Sequence, residues 1–468
     1  MLLTGNAFGA TPSNPALNSR KNIIFFLVDD LGWADLSCYG STFHETPAID
    51  ALAQSGVRFT HAYAACPVCS PTRASIITGR HPVRVGITDW IPGQNIESNP
   101  ISRFLHIHDK DQLPLDEITF AEVLKQNDYQ TCFVGKWHLG DKGFLPTDQG
   151  YDVNVGGFSR GSPPGGYYAP FRNPYLPDKM PGEYLTSRLT DEAITFINQR
   201  DPHRPFLMSF CYYNVHTPIQ PDTRVIQHYQ EKAALLKGDT PTEREHAGQT
   251  RLRQDNPDYA SMVAAVDTSI ARMMKALKEQ DITDETIIIF FSDNGGLSTK
   301  KTAGPTCNLP LRAGKGWLYE GGVREPLIIR APGISEPGRI VNIPVVSMDF
   351  FPTILELCNV TPKTLPPLDG TSIAGLLQGN LPTTDRTFYW HYPHYHGSTW
   401  TPGASIRHGR WKLIEFYHLE TVELYDLQND PGERNNLVDA YPERVEELRR
   451  RLSAWQKRMG AKMPVDKS

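Results

Sequence analysis

Two uninterrupted apolar runs, each followed by a pair of oxygen-bearing side chains, constrain the fold of this chain most. Residues 22–28 read Asn-Ile-Ile-Phe-Phe-Leu-Val and lead into Asp29-Asp30. Residues 286–292 read Thr-Ile-Ile-Ile-Phe-Phe-Ser and lead into Asp293-Asn294. An apolar run without alternation is typical of a strand buried on both faces of a parallel sheet. We therefore expect two central strands that carry polar pairs at their carboxyl ends.

Other apolar runs alternate with amphipathic stretches along most of the chain. This alternation predicts an α/β fold with a large, mostly parallel sheet sandwiched by helices. The predicted helices cover residues 46–55, 117–127, 187–199 and 258–279, and the further predicted strands cover residues 57–62, 131–134, 206–212 and 327–330.

The pattern changes beyond a turn-rich stretch at residues 360–385. Short strands with hairpin spacing and a terminal helix at residues 441–459 predict a small antiparallel sheet with one helix. Since 468 residues exceed what one core usually holds, two domains are expected. The predicted units are an N-terminal tail at 1–20, a large domain at 21–375 and a small α+β domain at 376–468.

Charge and hydropathy exclude two classes of protein. The formal net charge of -5 offers no basic excess, so we expect no nucleic-acid partner. No stretch approaches the roughly 18 apolar residues that span a bilayer, so we expect no membrane span. Small residues at 7–10 are similar to the end of an export signal, and the tail is interpreted as a remnant of one.

The two polar pairs predict a cation site. In open parallel sheets, ligands bind beyond the carboxyl ends of the strands, so Asp29, Asp30, Asp293 and Asn294 should face one crevice. Three carboxylates and an amide suit calcium or magnesium. The alternative, that these residues cap helices or form turns, stays open on this pattern alone.

A cysteine motif gives the chain a specific resemblance. Cys66 and Cys69 have C-x-x-C spacing, but without a second pair a zinc site is not expected. The run Cys69-Ser70-Pro71-Thr72-Arg73 resembles the C-x-P-x-R signature of type I, formylglycine-dependent sulfatases of the alkaline phosphatase superfamily. Further segments match patterns of that family: Thr78–Arg80, Gly135–Gly140, Asp293–Gly295, Gly314–Gly322 and Glu423–Glu433.

The resemblance implies calcium-dependent hydrolysis of a sulfate ester. A formylglycine-generating maturation enzyme would convert Cys69 into the nucleophile, and residues 21–375 would form the catalytic domain. The calcium ion, or magnesium in its place, would be bound by Asp29, Asp30, Asp293, Asn294 and the formylglycine oxygen at residue 69.

The resemblance also implies roles for the remaining site residues. Arg73 would hold the hydrated aldehyde, and Asp293 would take the proton of the attacking hydroxyl. Lys136 and Lys315 would contact the sulfate oxygens. His216, together with Lys315, would protonate the leaving alcohol, and His138 would deprotonate the second hydroxyl to release sulfate.

The motifs are similar to those of carbohydrate sulfatases from polysaccharide-degrading bacteria. We therefore expect a sulfated sugar or polysaccharide as substrate, exo-acting removal of sulfate from a galactose-type sugar, and a periplasmic or secreted location. Alternatives are a phosphate or phosphonate monoester hydrolase of the same superfamily and a non-catalytic homologue that binds sulfated glycans. Candidate substrate contacts, which could instead pack the domains together, are the loops 86–110 and 156–175 and the cluster Trp390, His391, His394, His396 and Trp400.

Overall fold

The two apolar runs lie side by side at the centre of one large sheet. The computed structural model describes residues 20–93, 102–381 and 386–467. The strands are β1 (Asn22–Val28), β2 (Val57–Tyr63), β3 (Gln130–Gly135), β4 (Val153–Val155), β5 (Phe206–Cys211), β6 (Thr242–Glu245), β7 (Gly248–Arg251), β8 (Thr286–Ser292), β9 (Thr299–Lys300), β10 (Arg324–Arg330), β11 (Arg339–Val341), β12 (Val345–Val346), β13 (Thr387–Tyr392), β14 (Gly403–His408), β15 (Trp411–Phe416) and β16 (Thr421–Asp426). The α-helices are α1 (Pro47–Ser55), α2 (Cys69–Thr78), α3 (Pro82–Val85), α4 (Phe120–Gln126), α5 (Leu185–Gln199), α6 (Ile226–Ala234), α7 (Pro257–Glu279), α8 (Glu320–Val323), α9 (Phe350–Leu357), α10 (Ala374–Leu377) and α11 (Pro442–Met459).

The register of the large sheet brings four strand ends to one level. Its strand order is β11-β2-β10-β8-β1-β5-β3-β4, with β12 also paired to β2. Within it, β10 runs antiparallel to β2 and β8, and the other pairs are parallel. Val28 lies beside Ser292, and Cys211 lies beside both Leu27 and Gly135. The segments that leave β1, β8, β5 and β3 therefore start next to one another.

Helices cover both faces of this sheet, which confirms the predicted sandwich. Alternate side chains of β1 face opposite sides: Phe25 packs with α2, α4 and α9, and Phe26 packs with α1, α5 and α7. Side chains of a strand alternate between faces, so a strand that is apolar throughout needs a helical layer on each side. None of the helices in the described part of the chain combines the length and apolar character needed to cross a bilayer.

The C-terminal part forms the predicted antiparallel sheet with one helix. Strands β13 to β16 pair in sequence order, and α11 covers one face through Leu448, Leu452 and Trp455. The other face packs Trp390 against Tyr63 of the large sheet. Because this core joins side chains from both parts of the chain, the domain boundary at residue 375 stays a prediction.

Several boundaries differ from those expected. The helix predicted at 117–127 begins at Phe120, because Thr119 caps it: the backbone N–H of Glu122 donates to Thr119 Oγ1 over 3.1 Å. The strand predicted at 327–330 begins at Arg324 and is antiparallel to its neighbours. A three-stranded sheet of β6, β7 and β9 was not predicted, since these strands are short and polar and lack an apolar pattern.

A buried ion network links the two parts of the chain. Lys412 of β15 lies 2.9 Å from Glu320 Oε1 and 3.0 Å from Glu433 Oε1, and all three side chains are 0% exposed. The backbone N–H of Glu320 donates to Glu433 Oε2 over 2.6 Å. Burial, opposed by Lys412 and reinforced by the nearby Glu320 carboxylate, raises the pKa of Glu433 to about 7. The Lys412 ammonium group therefore contacts both carboxyl groups across the interface, and Arg324 Nη1, 3.5 Å from Glu320 Oε2, is a second and more distant cation.

Replacing Lys412 tests how much this network stabilises the fold. Lys412→Met leaves the buried Glu433 side chain without an ion-pair partner among the described residues and leaves Glu320 with only the more distant Arg324, so we expect the free energy of unfolding to fall by about 3–5 kcal/mol at pH 8. The loss should be smaller at pH 5, where Glu433 is protonated in the folded state. Urea unfolding followed by tryptophan fluorescence measures both values. The exposed Lys457→Met is the control, and equal stability of the two variants would contradict the prediction.

Candidate functional site

Three carboxylates meet where β1 and β8 end. Asp29, Asp30 and Asp293 each offer an oxygen within 4.8 Å of the others, and none of the three residues is more than 2% exposed. The backbone N–H of Asp30 donates to Asp293 Oδ1 over 3.2 Å, which ties the two strand ends together. Asp30 adopts a φ of 59°, in the left-handed region that non-glycine residues rarely occupy. The sequence expectation that both polar pairs face one crevice agrees with this geometry.

Each carboxylate is paired with its own cation. The pairs are Arg73 Nε to Asp293 Oδ2 at 2.8 Å, Lys136 Nζ to Asp29 Oδ2 at 2.6 Å, and Lys315 Nζ to Asp30 Oδ2 at 2.8 Å. Buried charges are costly unless paired, and this pairing balances the three carboxylates. The site therefore has no net charge of its own, and a bound divalent cation would make it positive.

Two buried oxygens in this cluster lack hydrogen-bond partners. They are Oδ1 of Asp29 and Oδ1 of Asn294, while Asn294 Nδ2 donates to Asp30 Oδ1 over 2.8 Å. Burial raises the pKa of Asp29 well above its usual value, and the neighbouring carboxylates add to the effect. Unpartnered carboxylate and amide oxygens are the ligands that calcium and magnesium take, so the residues present fit a hard divalent cation.

The side chain of Cys69 faces a neutral histidine. Cys69 is the first residue of α2, whose residues are all buried, and its Sγ lies 3.3 Å from His138 Nδ1. His138 Nε2 lies 2.5 Å from the carbonyl oxygen of Ile91. A carbonyl only accepts, so the ring proton is on Nε2 and the Nδ1 lone pair points at residue 69. Burial lowers the pKa of His138 well below its usual value, with Lys136 adding to the shift, so the ring is neutral.

A glycine at the end of β3 allows the backbone conformation that places Lys136 and His138 in the site. Gly135 has a φ of 96°, and a Cβ there would lie 1.9 Å from the carbonyl oxygen of Cys211. The Lys136 N–H donates to that same carbonyl over 2.8 Å. Any side chain at Gly135 would push β3 away from β5 and displace both site residues.

His216 reaches the site from the segment after β5. Its neighbour Val215 donates its N–H to the Asp29 carbonyl, which fixes the segment beside β1. His216 Nδ1 lies 2.7 Å from the Thr217 carbonyl and therefore carries the proton, and Nε2 lies 3.9 Å from Asp30 Oδ2. Burial lowers the pKa of His216, with Lys315 next in effect. The ring can give up a proton from Nε2 only in its doubly protonated form, which an incoming anion would favour.

A cavity of about 450 Å³ opens over these residues. Cys69 and His138 lie in its wall beside Asp30, Lys315 and His216. Such a volume is typical of small-ligand pockets. The remaining wall is formed by Trp90, Ile91, Pro92, Ser159, Arg160, Gly161, Ser162, Thr217, Leu297, Lys300, His396, Gly397 and Ser398.

The structure gathers all the predicted site residues, but it separates them into two layers. Lys136 is 0% exposed and lies behind Asp29, outside the cavity wall. Arg73 is held in the same inner layer by Asp293 and by the carbonyl oxygen of Lys136, to which its Nη1 donates over 2.6 Å. Cys69, His138, His216 and Lys315 form the outer layer, which a ligand can touch.

The predicted substrate contacts are partly wrong. Of the cluster at 390–400, His396 lines the cavity, whereas Trp390, Trp400, His391 and His394 are buried in packing contacts elsewhere. Trp390, for example, donates its indole N–H to the carbonyl oxygen of Ala64. In the loop 156–175, residues 159–162 line the cavity while Tyr167 and Phe171 belong to the core. Part of the loop 86–110, residues 94–101, lies outside the described residues.

Sequence reasoning missed Leu297 and Lys300. The β6-β7-β9 sheet brings Lys300 to the cavity, since β9 pairs with β7. A two-residue polar strand has no pattern that would have indicated this position.

The family models and the curated relatives agree on one family. Residues 21–360 match the family model described as Sulfatase, and residues 313–458 match the model described as N-sulphoglucosamine sulphohydrolase, C-terminal. A sulfatase of Formosa agariphila is 29% identical, covering 97% of this chain and 92% of the relative. The N-acetylgalactosamine-6-sulfatase of Homo sapiens is 29% identical over 95% of this chain and 86% of its own. The solved complex of Ps i-CgsB with k-i-k-neocarrahexaose has a TM-score of 0.75 and 27% identity, with 93% of each chain covered.

Calcium binding tests the acidic cluster without any assay of activity. Isothermal titration of the metal-free chain should show one tight calcium site, and saturation at about 100 times Kd should stabilise the fold by about 2.7 kcal/mol. Asp29→Asn removes one ligand charge, and we expect the affinity to fall at least about tenfold. The control is Asp284→Asn, a carboxylate that is 88% exposed. Equal affinities in the two variants would remove Asp29 from the site.

Proposed function

This chain belongs to the sulfatase family and is a sulfuric ester hydrolase, and from that premise we propose that it desulfates a sulfated carbohydrate by a calcium-dependent formylglycine mechanism. One observation carries the proposal: the lone pair of a neutral His138 points at residue 69 from 3.3 Å, at the wall of a cavity beside the acidic cluster. A base, a nucleophile position and a cation site thus share one small space, as acid–base and nucleophilic catalysis require.

The proposed modification of Cys69 explains the role of the residues around it. As formylglycine, residue 69 would supply a hydrated aldehyde, one hydroxyl of which attacks sulfur while the other later expels sulfate. Arg73, one helical turn along α2, would orient this group while it remains fixed by Asp293. His138 Nδ1 would accept the proton of the second hydroxyl, since its other nitrogen already donates to Ile91.

Protonation of the leaving alcohol would come from two residues beside Asp30. Lys315 and His216 both lie beside Asp30, and both line the cavity. The geometry favours Lys315 as the group that contacts the sulfate oxygens, because Lys136 is enclosed behind Asp29. The bound sulfate ester would raise the pKa of His216 and so enable it to donate from Nε2.

The divalent cation would be held by the strand-end oxygens. Asp29, Asp30, Asp293 and Asn294, with the oxygen of residue 69, would bind calcium, or magnesium in its place, and the ion would supply positive charge toward the sulfate. Two of these residues have buried oxygens without partners, which supports their role as ligands. Asp293 Oδ1, which also accepts from the Asp30 N–H, would take the proton of the attacking hydroxyl.

The cavity volume of about 450 Å³, typical of small-ligand pockets, supports a single terminal sugar as the bound unit. We propose exo-acting removal of sulfate from a galactose-type sugar, with Trp90 as an apolar surface for the ring. The similar protein Ps i-CgsB was solved in complex with k-i-k-neocarrahexaose, which supports a carbohydrate as the substrate class. Location in the periplasm or outside a bacterial cell would give the enzyme access to such polymers.

Maturation should precede folding. Cys69 is 2% exposed in the folded chain, so a formylglycine-generating enzyme would need to reach the segment before α2 is enclosed. The maturation enzyme is therefore proposed as a partner of the unfolded chain, recognising the residues that follow Cys69.

Substitution of the two nearby cysteines tests the nucleophile. Cys69→Ala should abolish hydrolysis of 4-nitrophenyl sulfate, because no other side chain can supply an aldehyde. Cys66→Ala, at the other end of the C-x-x-C spacing, should keep activity, and mass spectrometry of the peptide ending at Arg73 should show the aldehyde at residue 69. Full activity of Cys69→Ala would remove the formylglycine proposal. Loss of activity in Cys66→Ala with a correctly oxidised residue 69 would point to thiol redox chemistry instead.

His396 is proposed to recognise a sugar hydroxyl. Its Nδ1 accepts from the Ser398 N–H over 3.1 Å, so the ring proton is on Nε2. Burial lowers its pKa to about 3, which keeps the ring a neutral donor across the working pH range.

Removing that donor should weaken sugar binding. We expect His396→Ala to raise KM for a sulfated galactose about tenfold and to change kcat little, since one hydrogen bond to a bound group is lost. The KM for 4-nitrophenyl sulfate, which lacks sugar hydroxyls, should change by less than about twofold. His396→Gln keeps an N–H donor and should restore part of the affinity, and the exposed His203→Ala serves as control. An equal rise in KM for both substrates would argue against hydroxyl recognition.

A further inference from the structure

Two cations in the cavity wall have no carboxylate partner within the described ranges. Arg160 is exposed and Lys300 is half-buried, and both line the cavity. Most other arginines near this part of the fold are paired, as Arg312 is with Glu245 over 2.7 Å. The positive charge of Arg160 and Lys300 is therefore available to a ligand.

The charge of the described cavity wall is unbalanced. Asp30 is the one carboxylate among these lining residues, and Lys315 already holds it at 2.7 Å. A sulfate monoester brings one negative charge, which the inner cluster and its cation would accommodate. Arg160 and Lys300 would then be left facing the remainder of the substrate.

Both cations stand on backbone that is fixed close to the reacting centre. Next to Arg160, a Cβ at Gly161 would lie 2.4 Å from His138 Cε1, so this segment packs directly on the catalytic ring. The preceding Ser159 donates its hydroxyl to Asp141 over 2.8 Å. Lys300 is held in β9 by pairing with Gln249 of β7. Arg160 and Lys300 therefore line the cavity from two anchored segments.

We propose that the substrate carries a second anionic group, and that Arg160 and Lys300 bind it. The inference rests on the proposed function, because it concerns the sugar whose sulfate ester is hydrolysed. The chemistry they recognise is an oxyanion, either a further sulfate or a carboxylate, on the same sugar or on its neighbour. The planar guanidinium of Arg160 matches the paired oxygens of either group, and Lys300 adds a point charge.

Equilibrium binding to the full-length Cys69→Ala chain, loaded with calcium, tests this without turnover. The probes are galactose 6-sulfate, galactose 2,6-disulfate, and a disaccharide of glucuronate joined to galactose 6-sulfate. We expect at least one of the two dianionic probes to bind about tenfold or more tightly than the monosulfate at 0.15 M salt, because both cations attract the second anionic group. The two arms distinguish a sulfate from a carboxylate as the second group.

Substitutions test whether Arg160 and Lys300 cause the tighter binding of the dianionic probes. In Arg160→Gln and Lys300→Gln, the preference for a dianionic probe should shrink to about threefold or less, and in the double variant it should vanish. Lys301→Gln is the matched control, since Lys301 is exposed beside Lys300 and does not line the cavity. It should keep the full preference.

The outcomes separate this inference from the proposed function. Equal affinity of all three probes for the chain, or a preference that survives the double variant, would overturn the second anion site. Turnover of 4-nitrophenyl sulfate by the matured wild-type enzyme is the independent test of the hydrolase. If the chain prefers the dianionic probes but the matured enzyme does not turn over 4-nitrophenyl sulfate, the anion site is supported and the formylglycine mechanism is contradicted.

Discussion

The common level at which β3, β5, β1 and β8 end is the constraint on which the site depends. Four neighbouring parallel strands end at the same edge of the sheet. Lys136, His216, Asp29 and Asp293, which follow these strands, are therefore neighbours although they are far apart in sequence. Tight pairing of the strands excludes water there, and electrostatic interactions gain strength in a low-dielectric space. A shift of one strand by a single residue would turn its site residue away from the others.

Pairing of opposite charges offsets the free-energy cost of burying three carboxylates at this edge of the sheet. Each buried carboxylate has a cation, yet Asp29 and Asn294 keep an oxygen without a partner. A divalent cation would satisfy those oxygens and turn a neutral cluster into a positive one, which is what an anionic sulfate needs. The inner layer of paired charges is thus stable by itself. Its unpartnered oxygens would be satisfied by the cation, and the positive charge that the cation adds would be balanced by the substrate.

The sequence predicted those parts of the molecule that depend on local pattern. The apolar runs indicated the strands β1 and β8 correctly, and the residues after them indicated the acidic cluster. The roles of Lys136 and Lys315 were inferred from the resemblance to the sulfatase family, since no local sequence pattern distinguishes a functional lysine from a surface lysine. Trp390 and Trp400 were wrong as substrate contacts because an aromatic residue serves a core and a sugar site equally well. Lys300 could not be predicted, because tertiary pairing of short polar strands placed it.

Chemistry and recognition are assigned to different parts of the fold. Most catalytic candidates follow strand ends of the large sheet or lie on α2, and Lys315 lies in the segment that precedes α8. Of the recognition candidates, Arg160 and His396 lie on connecting segments, the latter in the C-terminal part, and Lys300 lies on the short strand β9 outside the large sheet. That part is anchored by Trp317, whose indole donates to the Ser398 carbonyl, and by Lys412 between two buried carboxyl groups. Because segments outside the large sheet can change without disturbing its strand register, the same chemistry can serve substrates of different charge. In this chain, Arg160 and Lys300 have no carboxylate partner among the described residues, and they are proposed to favour the more anionic substrates.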